Sequence, residues 1–179
     1  MFSLRSCGLV AVLALCLSVR PAPTGEKKPP ELVTRNRIQL NLAGAAAIVA
    51  DAKKKAEGMK LKVNIAVVDD GGHLLSFARM DGARPASGYT AITKAVTAAT
   101  FRQETGPLPP KGEPDVLLNL SLQNAAASGG GKLTTLKGGV PIVVDGQFIG
   151  AVGVGGASGE QDAELAKAGI KKLLDALKK

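Results

Sequence analysis

Chemically versatile side chains are scarce in this sequence of 179 residues. It contains no tryptophan, one histidine (His73) and only 3% aromatic residues. Proteins that bind single-stranded nucleic acids stack bases on aromatic side chains, so this composition argues against that class of function. The two cysteines, Cys7 and Cys16, both lie close to the N-terminus.

The N-terminal residues resemble an export signal. Arg5 is followed by an apolar run over residues 9–17, which is shorter than a membrane-spanning helix. We predict a signal peptide over residues 1–18, and the bulky Leu15 before Cys16 argues against a lipoprotein. Cleavage after Ser18 would leave a mature chain without thiols, which excludes disulfides, thiol catalysis and cysteine-ligated metals. The predicted location is periplasmic or extracellular, with no membrane span in the mature chain.

The formal net charge of +8 is dispersed along the chain. Residues 1–37 carry six of the Lys and Arg residues, and the other basic residues fall mostly on the polar faces of predicted helices. This distribution indicates solvated surfaces and does not predict a nucleic-acid partner. Residues 19–37 are polar and proline-rich and predict a flexible linker, followed by one domain over residues 38–179.

Two hairpins are predicted from alternating apolar residues around turn residues. The first joins residues 63–69 to 74–78 through Asp69-Asp70-Gly71-Gly72. The second joins 140–144 to 147–154 through Asp145-Gly146, a pair that favours a type I′ turn, and Pro141 predicts an edge strand or a strand start. Residues 132–136 predict one further short strand.

Four helices are predicted between and around these strands, over residues 41–57, 87–102, 115–127 and 158–177. Asn41 and Asp115 are candidate N-caps, and Ser158 with Gln161 forms a capping-box pattern. The predicted fold is α+β, with the order α-ββ-α-α-βββ-α and helices on the faces of an antiparallel sheet. Residues 103–114 contain four prolines and predict a lid or a surface loop.

Several motifs in this order resemble one family. They are the segments 66–69, 71–74, 79–83, 94–98, 138–142 and 150–156, followed by Asp162, Ala166 and Ala168-Gly169. Over residues 38–177 the chain is similar to the GlcG/HbpS-like haem-binding family. This resemblance implies a profilin-like α-β-α sandwich with a five-stranded antiparallel sheet. It also implies homo-oligomers and, in some members, binding of haem or a related tetrapyrrole. Gly155 departs from the serine that is common in the family.

Six residues are candidates for contact with such a ligand. His73 is a possible haem-iron ligand through its imidazole, or an exposed residue after a Gly-Gly turn. The family resemblance makes Thr97 the alternative iron ligand, although helical threonines often bond the preceding turn. Arg79 and Lys94 are candidates to pair with ligand carboxylates, or Arg79 with Asp81. Gly153 and Gly155 imply close approach by a flat ligand or by a helix. We interpret Asp69 and Asp162 as a turn residue and a helix-cap residue.

The sequence favours binding over catalysis. It contains no H-E-x-x-H motif and no Walker loop, and it lacks the C-x-x-C-H motif of covalent haem. The predicted function is an exported, homo-oligomeric protein. We expect it to bind haem or another small planar anionic ligand non-covalently, between the second helix and the glycine-rich last strand. The alternatives are an enzyme that degrades haem or acts on a small organic acid, and a structural oligomer without a ligand.

Overall fold

The computed structural model describes residues 32–178. The predicted signal peptide, residues 1–18, and most of the predicted linker, residues 19–37, lie outside the described residues. From Arg35 onward the chain forms one compact unit. Its elements, in chain order, are α1 (Leu42–Gly58), β1 (Asn64–Asp69), β2 (Leu74–Arg79), α2 (Ala86–Phe101), α3 (Val116–Ser128), β3 (Gly139–Val144), β4 (Gln147–Gly155) and α4 (Gly159–Leu177).

The strands form an antiparallel sheet in the order β2-β1-β4-β3. The predicted second hairpin is confirmed: Asp145 and Gly146 have φ angles of 48° and 75°, as a type I′ turn requires. Pro141 lies within β3, an edge strand, where its missing N–H costs no ladder hydrogen bond. Both features follow from local backbone chemistry, and the sequence predicted both.

The helices cover the two faces of the sheet unequally. α1 and α4 pack on one face over a core of Ile, Val and Leu that includes Ile48, Ile65 and Leu165. α2 alone packs on the other face over a smaller cluster of mostly alanine side chains. The small side chains let α2 lie close to β1, β4 and β3. The edge strand β2 is not covered on this side.

Three helices begin where their predicted caps stand. The side chain of Asn41 accepts the N–H of Gly44, and that of Asp115 accepts the N–H of Leu118. Ser158 and Gln161 form both bonds of the predicted capping box. Each cap satisfies a backbone donor that the first helical turn leaves without a partner.

The predicted strand over residues 132–136 is wrong, so the described chain has four strands and not five. This segment bonds side chains instead of a neighbouring strand. The N–H of Thr134 is donated to Thr97 Oγ1 at 3.0 Å, and the carbonyl of Leu136 accepts the hydroxyl of Thr105 at 2.7 Å. These two backbone groups therefore have partners without a ladder.

None of the described helices is both long enough and apolar enough to cross a membrane.

Candidate functional site

Helix α2 lies directly on the glycines of β4. A Cβ on Gly153 would lie 2.1 Å from the carbonyl oxygen of Ala91, and one on Gly155 would lie 2.7 Å from that of Ser87. These distances leave no gap between α2 and β4. The slot predicted there for a flat ligand is not present, and the glycines serve the close approach of a helix, the alternative explanation.

The side chain of Lys94 is buried between α2, β4 and α4. Its ammonium donates to Asp162 Oδ2 at 2.7 Å and to the carbonyl of Val154 at 2.9 Å. Asp162 Oδ1 accepts the N–H of Ala157. Burial raises the pKa of Asp162, while the hydrogen bond and the charge of Lys94 oppose that rise. This pair connects α2, β4 and α4, so the predicted pairing of Lys94 with a ligand carboxylate does not fit its position.

The hydroxyl groups of α2 bond the helix itself. Thr90 donates to the carbonyl of Ser87, Thr93 to that of Tyr89, and Thr100 to that of Val96. This is the back-bonding that threonine makes within helices. A hydroxyl face turned toward a ligand is therefore not formed by these three residues.

Thr97 lies at a cavity between α2, α3 and the loop that precedes α3. Its hydroxyl donates to the carbonyl of Thr93 at 2.7 Å and accepts the N–H of Thr134 at 3.0 Å. The cavity measures about 20 Å³. Its lining consists of Thr97, Phe101, Gln103, Glu104, Thr105, Gly106, Leu108, Leu122, Gln123, Leu133, Thr134 and Thr135.

This cavity does not fit a haem group. Its volume of about 20 Å³ is far below the roughly 300–1,000 Å³ typical of ligand pockets. No Lys, Arg or His lines it, and its one charged residue, Glu104, pairs with Lys167. Haem carboxylates would meet no cation there, and Thr97 already uses its hydroxyl proton and one lone pair.

His73 stands at the exposed turn between β1 and β2. Its side chain is 83% exposed, and Nδ1 lies 3.4 Å from Asp69 Oδ1. That carboxylate oxygen also accepts the N–H groups of Gly71 and His73, so Asp69 is the turn residue that the sequence predicted. With Nδ1 toward a carboxylate, Nε2 is the ring nitrogen that remains for an outside partner.

An apolar surface extends from this turn along β2 and the adjacent side of α2. We call it the β2–α2 face, and it consists of Leu74, Phe77, Tyr89, Ile92 and Val96. Three of these side chains are exposed, and the other two pack partly against the alanine cluster under α2. The face exists because α2 covers three strands and leaves the fourth, β2, open.

Contacts at both ends show that the β2–α2 face is continuous. A Cβ on Gly72 would lie 3.4 Å from Val96 Cγ1, and a Cβ on Gly88 would lie 3.3 Å from Phe77 Cζ. The turn between β1 and β2 therefore touches the middle of α2, while the Phe77 ring reaches its first turn. Glycine at position 88 leaves room for that ring.

Two arginines stand at the end of this face opposite His73. Arg79 ends β2 with an exposed side chain, and within residues 32–178 it forms no ion pair with Asp81. Arg84 precedes α2 and donates its Nε to Ser87 Oγ at 2.9 Å. Its terminal nitrogens are those that suit a bidentate carboxylate contact.

The sequence interpretation missed Asn64, which lies beneath the same end. This residue is fully buried, and Oδ1 is the one buried side-chain polar atom of the described residues without a hydrogen-bond partner. Its Nδ2 donates to the carbonyl of Arg84 at 3.1 Å. The sequence did contain a signal for this residue: an asparagine stands within the apolar run of β1, and a buried amide needs hydrogen-bond partners.

Comparison with known proteins gives a consistent set of similarities. Residues 40–171 match the family model HbpS-like, described as haem degrading protein HbpS-like. Protein GlcG of Escherichia coli (strain K12) is 45% identical over 120 residues, which are 67% of this chain and 84% of that protein.

Two crystal structures show the same fold. Protein ORFY of Klebsiella pneumoniae has a TM-score of 0.66 at 31% identity, over 80% of this chain and 98% of that one. A double mutant of HbpS from Streptomyces reticuli has a TM-score of 0.63 at 30% identity, over 84% of this chain and 97% of that one.

Proposed function

The chain belongs to the HbpS-like family, and on that premise we propose that it binds haem or a related tetrapyrrole non-covalently on the β2–α2 face. The observation that supports this location is an exposed apolar surface that runs from the turn carrying His73 to two arginines at the other end. Such a surface offers the three kinds of contact that a planar, anionic, iron-containing ligand needs.

The apolar contacts would carry most of the binding energy. Leu74, Phe77 and Tyr89 are exposed, and each Å² of apolar surface that a ligand removes from water contributes about 25 cal/mol. An aromatic ring such as Phe77 also stacks favourably on another planar π-system. No other group of described residues combines aromatic side chains with a histidine.

The polar contacts would fix the orientation of the ligand. His73 Nε2 is the nitrogen that would hold the iron, and Arg79 and Arg84 would pair with the carboxylates. When bound, the iron would supply redox and ligand-exchange chemistry. Among residues 32–178, no group of three or more His, Cys, Asp and Glu side chains is placed to hold a metal ion.

A hemin titration tests the proposal. Purified protein should give a saturable Soret shift at about one hemin per chain. The shift should weaken at least tenfold in affinity in His73→Ala and in Phe77→Ser. Thr97→Val is the matched control, because it changes a side chain at the α2–α3 cavity and should leave the affinity unchanged.

Three other outcomes have distinct meanings. A shift that is lost in Thr97→Val but kept in His73→Ala would move the ligand to the cavity and overturn the location. The absence of any saturable shift would overturn haem binding. Steady loss of the Soret band with a reductant, with release of product, would show that the protein degrades haem and is an enzyme.

We also propose that the protein is exported and forms homo-oligomers. The support is the predicted signal peptide over residues 1–18 and the family resemblance. Intact-mass measurement on protein recovered outside the cytoplasm of a bacterial host should show a chain that begins close to residue 19. Recovery of the full-length chain from the cytoplasm alone would contradict export.

A further inference from the structure

The turn that joins β2 to α2 contains Arg84, whose main chain and side chain are both held by buried residues. Asn64 Nδ2 donates to the carbonyl of Arg84 at 3.1 Å, and Arg84 Nε donates to Ser87 Oγ at 2.9 Å. Asn64 is 0% exposed and Ser87 is 1% exposed, whereas Arg84 is exposed. The guanidinium of Arg84 is therefore fixed at Nε by the interior of the protein, although the residue itself stands at the surface.

Asn64 occupies its position at a cost to the fold. Its Oδ1 is buried without a hydrogen-bond partner among the described residues. An apolar side chain of similar size would leave no such acceptor unpaired in the core. Local choices that work against stability are expected where function requires them. The amide nitrogen of Asn64 does have a partner, and that partner is Arg84, so a function of Asn64 has to act through Arg84.

Asn64 also connects Arg84 to the β2–α2 face. A Cβ on Gly88 would lie 3.5 Å from Asn64 Oδ1 and 3.3 Å from Phe77 Cζ. The amide and the aromatic ring therefore meet at the first turn of α2. A planar ligand that stacks on Phe77 would have one edge at the turn that carries Arg84.

The charges at this turn favour an anion. A Cβ on Gly82 would lie 2.9 Å from Lys62 Nζ, so a second cation reaches the turn. α2 has no acidic residue in its first turn and no side-chain cap, so no side chain of the helix offsets the partial positive charge of its N-terminus. Within residues 32–178, neither Arg84 nor Asp81, the acidic residue of the turn, forms an ion pair. An ionised carboxylate can accept two hydrogen bonds from such a guanidinium.

We propose that Arg84 makes the β2–α2 face select planar ligands that carry an ionised carboxylate, and that Asn64 and Ser87 are the positioning residues that hold Arg84 for this contact. The inference rests on the proposed function and adds what the site discriminates, which is a free acid from a neutral ester of the same ring. A side chain that is held before the ligand arrives loses less conformational freedom on binding. The two buried residues should therefore affect the affinity without touching the ligand.

Titration with two porphyrins tests the inference. Protoporphyrin IX carries two carboxylates, and its dimethyl ester has the same ring but carries none. The full-chain protein should bind the acid at least tenfold more tightly than the ester, as measured by porphyrin fluorescence at neutral pH. Arg84→Gln, Asn64→Leu and Ser87→Ala should each reduce this ratio of affinities at least fivefold. The affinity for the ester should stay unchanged in all three, which also shows that the face is still folded.

Two further variants separate a held guanidinium from a simple positive charge. Arg84→Lys keeps the charge but loses the forked geometry and the Nε that bonds Ser87, so it should lower the ratio nearly as far as Arg84→Gln. Arg102→Gln is the matched control. Arg102 follows the last turn of α2, where it lies 5.7 Å from the centre of the Phe148 ring, and its replacement removes the same charge at the opposite end of the helix. The ratio should keep its wild-type value in that protein.

Three results with the variants would overturn the inference. If Arg84→Gln leaves the ratio unchanged, another residue recognises the carboxylate. If Arg84→Lys keeps the full ratio, charge alone is enough and the hold on Arg84 has no role in binding. If Asn64→Leu and Ser87→Ala weaken the acid and the ester equally, these residues act on the fold and not on selection.

The wild-type protein distinguishes failure of this inference from failure of the proposed function. Equal affinity for the acid and the ester would overturn selection by Arg84 and leave tetrapyrrole binding in place. Binding of neither porphyrin would contradict the proposed function, and the inference would fail with it.

Discussion

At the scale of single residues, the buried pair of Lys94 and Asp162 determines how the sandwich is closed. Their side chains are 6% and 2% exposed. Removing one member of such a pair leaves a buried charge without a partner. We expect Lys94→Met to lower the free energy of unfolding by about 3–5 kcal/mol in urea denaturation.

The exposed pair of Lys137 and Glu160 provides the matched control. Its side chains are 52% and 72% exposed. Water screens such pairs, so Lys137→Met should cost less than about 1 kcal/mol. If Lys94→Met and Lys137→Met lowered the free energy of unfolding equally, burial would not explain the contribution of Lys94 to stability.

The pair of Lys94 and Asp162 also makes the loss of stability in Lys94→Met depend on pH. Burial raises the pKa of Asp162, and the ammonium of Lys94 opposes the rise, so Lys94→Met should raise the pKa further in the folded state. When the folded-state pKa lies above the unfolded value, folding takes up a proton. This uptake stabilises the protein at low pH, and the stabilisation is lost as pH rises through the folded-state pKa.

The destabilisation by Lys94→Met should therefore be smaller at pH 4.5 than at pH 7.5. Urea denaturation of both proteins at the two pH values measures it. If the difference in free energy of unfolding between the wild-type protein and Lys94→Met were independent of pH, or grew on acidification, Asp162 would not be an ionised partner of Lys94.

The sequence predicts the role of a residue best when its hydrogen-bond partner lies close to it along the chain. Asp69 and the capping Ser158 bond neighbours within a few residues, and both were interpreted correctly. Lys94 and Asp162 lie 68 positions apart, so only the fold could reveal them as partners. Lys94 was therefore predicted to be free for a ligand.

At the scale of elements, the contact of α2 with β4 depends on glycine. A Cβ on Gly153 would lie 2.5 Å from the amide nitrogen of Ala95 as well as against Ala91, and neither backbone atom can move alone. Gly153→Ala must displace the helix, so we expect a loss of about 1–3 kcal/mol in thermal or urea unfolding.

Gly58 is the matched control for this substitution. It ends α1, and no atom lies within 4 Å of a Cβ built there. Alanine favours helical backbone over glycine, so Gly58→Ala should be neutral or stabilise by up to about 1 kcal/mol. A Gly153→Ala protein as stable as the Gly58→Ala protein would mean that α2 does not rest on β4 as described.

Elements whose ends are set by local chemistry were predicted within one or two residues. Three of the four helices have a side-chain cap in their own sequence, α2 ends before the proline-rich residues 103–114, and the hairpin at Asp145-Gly146 has its turn. Residues 132–136 have the composition of a strand, but no strand lies beside them. Thr97 and Thr105 take up their backbone groups, which is a tertiary effect that no short pattern encodes.

At the scale of the whole molecule, the two faces of the sheet differ in how completely they are covered. Two helices pack on one face and one on the other, so the side chains of β2 remain open beside α2. The sequence predicted helices on both faces but not this asymmetry, because strand order decides which strand lies at an edge. The proposed ligand site is a consequence of that order.

A ligand on the β2–α2 face should stabilise the whole fold, because the face exists only in the folded chain. At a free hemin concentration one hundred times its Kd, the free energy of unfolding should rise by about 2.7 kcal/mol. At the same hemin concentration, His73→Ala should show a smaller rise, since the imidazole contact would be lost.

Metal-free protoporphyrin IX separates the contribution of the imidazole from that of the apolar face. It has no iron to ligate, so its stabilising effect should be the same in the wild-type protein and in His73→Ala. Phe77→Ser should reduce the effect of both ligands, because Phe77 would contact the ring and not the metal. If His73→Ala weakened protoporphyrin as much as hemin, His73 would act through shape and not as an iron ligand.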